Sequence, residues 1–170
     1  RALPIGVQDF KEIRDSDYLY VDKSDMISQI LSEGAKVYLY TRPRRFGKSL
    51  NLSMLDAFFN VKYPKGNKWF DGLKVSECKE CKEYKNAYPV IYFDFKDLDA
   101  PSHESFLKKL KKKLSDLYSE YEYLRHSNSI NEMDRKDYNS VFERVVDDTD
   151  VEYSISNLSK MLYKHHGRKT

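Results

Sequence analysis

Apolar positions along the chain change period several times, and each change predicts an element. Leu3-Pro4-Ile5-Gly6 opens as an extended or turn segment, and Tyr18-Leu19-Tyr20-Val21-Asp22 alternates in a β-prone way. Met26, Ile27, Ile30 and Leu31 then recur at spacings of three and four, the stripe of an amphipathic helix that Asp22 or Ser24 can cap. Gly34 stands where that helix should stop. Val37-Tyr38-Leu39-Tyr40 is a short unbroken apolar run, the pattern of a strand buried on both faces. The helical period returns from Lys48 to Asn60 through Leu52, Leu55, Phe58 and Phe59, and Pro64-Lys65-Gly66 breaks it. Tyr88 to Phe95 is a second buried strand around Val90-Ile91-Tyr92-Phe93. From Ser102 to about Leu124 a helix carries Phe106, Leu107, Leu110, Leu114, Leu117, Tyr118 and Tyr121, and further helices are expected at about 131–147 and 154–166. Strand, helix, strand, helix is an α/β order. It predicts a mostly parallel sheet flanked by helices, over 1–170 as one domain.

Composition narrows the class. With 40% apolar and 34% charged residues the chain reads as a polar, globular protein. No apolar run approaches the roughly 20 residues that span a bilayer, so no membrane is expected. A formal net charge of +3 does not call for nucleic acid. Cys78 and Cys81 are the two cysteines, and a chain of this size does not need a disulfide framework, which points to a reducing, cytoplasmic compartment.

Candidate chemistry concentrates in Arg42-Pro43-Arg44-Arg45-Phe46-Gly47-Lys48-Ser49, between a predicted strand and a predicted helix. A helix start carries unpaired N–H groups and partial positive charge, so an anion binds there readily. Gly47 lets the backbone approach a phosphate. Lys48 can reach the terminal phosphates, and the Ser49 hydroxyl is placed to hold the magnesium ion that accompanies ATP. A standard phosphate loop begins with Gly, and here Arg42 takes that place. Pro43, which offers no N–H, stiffens the start. Arg44 and Arg45 either add positive charge or point into solvent.

These residues carry a resemblance. Leu3-Pro4-Ile5-Gly6-Val7-Gln8-Asp9-Phe10, Tyr20-Val21-Asp22-Lys23-Ser24 and Arg42 to Leu50 together resemble the predicted AAA-ATPase-like family, as do Phe70-Asp71-Gly72-Leu73, Pro89 to Phe95 and Leu158 to His166. The resemblance implies a bacterial P-loop NTPase of three-layer fold, often fused to a restriction-type nuclease domain. It also implies that the missing first Gly is a family trait. An ATP cradle would run over Arg42, Pro43, Arg44, Arg45, Phe46, Gly47, Lys48, Ser49 and Leu50, with Lys48 as the catalytic residue. Hydrolysis also needs an acidic residue at the end of a core strand. Asp94 is the candidate at the end of Val90-Ile91-Tyr92-Phe93. The family pattern instead puts the acidic strand after a segment like Leu162 to Arg168. Asp94 is therefore either a magnesium contact, direct or through water, or a strand-end residue.

On this reading 1–170 is the N-terminal part of an ATPase domain. It binds ATP but hydrolyses it poorly by itself, and an exposed sheet edge invites self-association. The rival reading is a non-enzymatic nucleotide-sensing or nucleic-acid-associated module, with nucleic acid reached through other domains. Three further features have plain explanations beside sharper ones. Cys78-Lys79-Glu80-Cys81 is either half a zinc site or a pair of ordinary thiols. Lys108, Lys109, Lys111, Lys112 and Lys113 are either the solvated face of a helix or a nucleic-acid contact. Tyr20 and Ile5 either help to seat adenine or simply precede the next helix, for which Asp22 and Lys23 form a capping pair.

Overall fold

A computed structural model describes residues 1–41, 43 and 46–168. The chain divides into two compact units, Arg1–Val90 and Ile91–Thr170. The first holds α1 (Phe10–Asp15), α2 (Asp25–Glu33), α3 (Lys48–Phe59) and α4 (Lys74–Glu77), followed by a 3-10 turn at Glu80–Glu83. The second holds α5 (His103–Ser119), α6 (Glu132–Phe142) and α7 (Ser154–His166), with 3-10 turns at Glu122–His126 and Val151–Tyr153. Among the described residues no helix is long and apolar enough to cross a membrane.

The expected parallel sheet is absent, and the three-layer α/β assignment is corrected accordingly: the described residues are helical and contain no sheet. Among the described residues, extended backbone meets extended backbone at one point, a parallel bridge between Asn60 and Tyr88. A strand exists only where a second strand takes up its N–H and C=O groups. Val37 to Tyr40 and Ile91 to Phe95 have the side-chain pattern but no such ladder among the described residues. In the first segment Val37 and Leu39 are 83% and 86% exposed, against the double burial that the run predicts. In the second, Ile91 and Phe93 pack on the helices while Phe95 is exposed, so the alternation buries one side of a lone extended segment. Without a sheet, the edge expected to drive self-association is also missing among the described residues.

The helices follow their sequence signals more closely. Asp9 caps α1, its carboxylate accepting from the N–H groups of Lys11 and Glu12 at 2.7 and 3.4 Å. Phe10 is fully buried, packs on Phe70 and Tyr20, and donates its N–H to Ser53 Oγ in α3 at 3.0 Å. Thus the Asp9-Phe10 pair clamps α1 onto α3. Gly34 ends α2 in the left-handed region at φ +60°, with its N–H on Ile30 O.

Asp22 and Ser24 depart from expectation in a useful way. Ser24 precedes α2, but its hydroxyl does not cap that helix. It accepts instead from Val75 N–H at 3.1 Å, while Asp22 Oδ2 accepts from Lys74 N–H at 2.8 Å. The free N–H groups that open α4 are thus satisfied from a segment some 50 residues earlier. Asp22 Oδ1 also accepts from Ser24 N–H at 2.8 Å. Burial raises the Asp22 pKa, but the N–H groups of Lys74 and Ser24 outweigh it, and the carboxyl is held below the usual range.

In the second unit, capping boxes start α5 (Ser102 with Ser105) and α6 (Asn131 with Asp134). The long helix expected to Leu124 stops at Ser119, and Leu124 is buried from a 3-10 turn instead. The core unites Leu114, Leu117 and Tyr118 of α5 with Tyr138 and Val141 of α6 and Leu158, Met161 and Leu162 of α7. Two buried hydroxyls are satisfied within it: Tyr138 donates to Tyr118 O, and Tyr118 donates to Ser154 O at 2.7 Å.

Candidate functional site

The start of α3 is built from the residues that the loop motif singles out. Gly47 occupies its N-cap in the left-handed region, φ +74° and ψ 21°, which a side chain adopts only at a cost of about 1 kcal/mol. No side-chain hydrogen bond caps this helix among the described residues, in contrast to α1, α5 and α6. Gly47 O accepts from Asn51 N–H at 2.9 Å, so the helix begins cleanly at Lys48. An uncapped helix start directs its first N–H groups and the positive end of its dipole outward.

Around that end the charge is positive. Lys48 Nζ donates to Pro43 O at 3.0 Å, folding the lysine back along its own loop. Lys23 Nζ lies 4.0 Å from where a Cβ on Gly47 would stand. Ser49 is exposed in the first turn of α3, and Leu50 is partly buried against the core of this unit. Phe46 is 61% exposed beside the helix start. Arg42, Arg44 and Arg45 lie outside the described residues.

A cavity of about 570 Å³ opens here between α2 and α3. Lys23, Asp25 and Gln29 line one side, Lys48, Asn51 and Leu52 another, and Tyr38 and Tyr40 a third. Its size falls within the range of small-molecule sites. Tyr38 and Tyr40 stack with ring centroids 6.5 Å apart, and Tyr38 Oη donates to Ile30 O at 2.9 Å while accepting from Ala35 N–H. The Tyr40 phenol is raised above its ordinary pKa, first by burial and then by the Glu33 charge.

Sequence reasoning singled out Gly47, Lys48 and Ser49 but missed Lys23, Gln29, Asn51 and the tyrosine pair as lining of this cavity. Lys23 sits in one of the motifs already singled out. The signal was present, but only the cavity that α2 and α3 share gives it meaning. Tyr20 lies elsewhere: its hydroxyl contacts Met54 Sδ at 3.2 Å, its ring packs edge-on to Phe10, and burial pushes the phenol up to about 12. Ile5 is 89% exposed.

Asp94 belongs to the second unit. Its carboxylate accepts from Lys113 Nζ at 2.5 Å and from Lys96 N–H at 2.9 Å. The Lys113 hydrogen bond is the chief reason that its pKa lies below the usual value. In the lysine cluster of α5, Lys111 pairs with Asp148 at 2.7 Å, Lys109 donates to Asp99 O, and Lys113 holds Asp94. Cys78 and Cys81 are joined as a disulfide, which corrects both the half-zinc-site and free-thiol readings. Bonded sulfurs offer a metal no thiolate, and the pair no longer argues for a reducing compartment.

Comparison with known proteins places the chain. A protein of Azotobacter chroococcum mcd 1, described as an uncharacterized protein in the vnfD 5' region, is 38% identical over 96 residues. That match covers 56% of this chain and 17% of the relative's length. No solved structure matches. The family model described as predicted AAA-ATPase matches residues 4–169, and the chain therefore belongs to that family.

Proposed function

We propose that the start of α3 and the cavity beside it bind ATP. Family membership supports an ATP-related function and nucleotide use; the finer assignment rests on the site. The observation that carries it is an uncapped helix start at a left-handed Gly47, with Lys23 and Lys48 at its mouth and a cavity of about 570 Å³ alongside. The triphosphate would lie against the first N–H groups of α3, with Lys48 leaving Pro43 O to meet its terminal oxygens. Lys23 would add a second cation. The exposed Ser49 hydroxyl would hold magnesium together with phosphate oxygens, and the ion when bound would neutralise charge on the terminal phosphates. The Tyr38 and Tyr40 pair offers the base a π-face and Gln29 offers it an amide.

Hydrolysis is proposed for the whole protein, with Lys48 as the catalytic lysine. Binding without hydrolysis is the second reading, favoured by the Lys113 hold on Asp94. Calorimetric titration of the chain with ATP and magnesium tests the site: Lys48→Ala should weaken binding by about tenfold or more. An unchanged affinity in that variant would end the assignment. Magnesium-dependent ATP turnover by the whole protein separates hydrolysis from binding alone.

A further inference from the structure

Cys78 and Cys81 have no part in the nucleotide reading, and their surroundings differ sharply. Cys78 ends α4, Cys81 lies in the 3-10 turn that follows, and their Cα atoms are 5.3 Å apart. Cys81 is 2% exposed in the apolar cluster with Phe58, Phe70 and Val75, whereas Cys78 packs at the rim of that cluster and is only half-buried. The Cys81 N–H donates to Cys78 Sγ at 3.2 Å. Such a donor favours negative charge on the outer sulfur, while apolar burial disfavours it on the inner one. One sulfur of the pair is therefore both reachable and the better thiolate.

A cavity of about 430 Å³ opens beside the disulfide, lined by Ser28, Gln29, Ser32, Glu80 and Tyr84 as well as by both cysteines. The Ser28 and Ser32 hydroxyls donate to Asp25 O and Gln29 O, which leaves their oxygens able to accept from an incoming amide. Leu31 and the Tyr84 ring add apolar surface, so the lining sets hydrogen-bonding groups beside a nonpolar wall. It suits a small peptide-like molecule better than a lipid.

We propose that Cys78 and Cys81 form a thiol–disulfide exchange site, with Cys78 as the reacting sulfur and a small peptide thiol as co-reactant. In the reducing direction the thiolate RS⁻ attacks Cys78 Sγ, the Cys78–Cys81 bond breaks, and Cys81 leaves as a thiolate that takes a proton. A second RS⁻ attacks the R sulfur of the mixed disulfide, which releases RSSR and leaves Cys78 reduced. In the oxidising direction the Cys78 thiolate attacks RSSR and expels RS⁻, and the Cys81 thiolate then attacks Cys78 Sγ and expels the second RS⁻. The net change is protein dithiol plus RSSR to protein disulfide plus two RSH.

The test uses the full chain, reduced, freed of reductant and then mixed with glutathione disulfide, with samples quenched by alkylation and mapped by mass spectrometry. The wild-type chain should re-form its internal bond through a transient adduct on Cys78. Cys81→Ser should accumulate the mixed disulfide at Cys78, and Cys78→Ser should react at Cys81 about tenfold more slowly or worse. Equal rates in the two variants, or reduced wild-type thiols that persist, would overturn the proposal. Where a substitution unfolds the chain, the wild-type time course decides: a transient adduct mapped to Cys78 supports the site and one mapped to Cys81 sinks it. A rate no higher with glutathione disulfide than with hydroxyethyl disulfide would overturn the peptide-thiol assignment.

Discussion

Ser24→Ala separates the two roles open to the Tyr-Val-Asp-Lys-Ser motif, scaffold or ligand contact. The Ser24 hydroxyl is fully buried and accepts from Val75 N–H at 3.1 Å, and Val75 is itself 3% exposed. Alanine removes the acceptor and leaves a buried donor unpaired. The cost of an unsatisfied buried donor is about 1–3 kcal/mol. It should fall on the first unit alone. Trp69 is the single tryptophan and sits in that unit, its indole N–H on Asp15 at 2.7 Å and its ring against Tyr63. Urea unfolding followed by Trp69 fluorescence therefore reads the affected unit, and the midpoint should fall with the slope unchanged. Ser49→Ala is the contrasting variant. That hydroxyl is exposed in the first turn of α3, so stability should move by less than about 0.5 kcal/mol while magnesium-dependent ATP binding weakens. A Ser24→Ala protein as stable as wild type would refute the reasoning. So would one that loses ATP affinity without losing stability.

Two predictions concern the second unit. His166 Nε2 lies 2.8 Å from the Tyr123 hydroxyl, and burial, then the His165 ring, lowers its pKa below the ordinary 6.5. On acidification the unfolded chain takes up that proton first, so the stability contributed by His166 is complete above pH 6.5 and is lost as pH falls through the folded value. Thermal melts between about pH 5 and 8 should show the decline, and His166→Gln should flatten it; an equal slope in the variant would be the contrary result. Lys113→Ala removes the main partner of Asp94, so the Asp94 pKa should climb back toward 3.8, as an NMR titration of its carboxyl would report. An unmoved titration would mean that the Lys96 N–H holds the carboxylate without help.

The starts of α5 and α6 and the end of α2 were legible in the sequence because their causes are local, whereas α1 was not foreseen and α5 and α6 stop short of the expected ends. Ser102 and Asn131 act on N–H groups three residues away, and Gly34 and Gly167 adopt left-handed conformations at helix ends for want of a Cβ. The helix expected at about 154–166 spans Ser154–His166, and its end at Gly167 has that local cause although no side chain caps its start. Gly47 and Lys48 could likewise be singled out, since a glycine before a lysine-led helix is a short-range pattern. What the sequence could not supply were the partners of each local feature. Val37 to Tyr40 has the side chains of a strand, yet a strand depends on a neighbour that the pattern does not contain. Asp22 and Ser24 have the chemistry of a cap, and only folding decided that they serve α4 rather than α2. Lys23 comes beside Gly47 only when folding sets the start of α2 across a shared cavity from α3, and Cys78 meets Cys81 through the turn between α4 and Glu80. The chain's local order is written in adjacent residues; its pairings depend on which surfaces folding brings into contact.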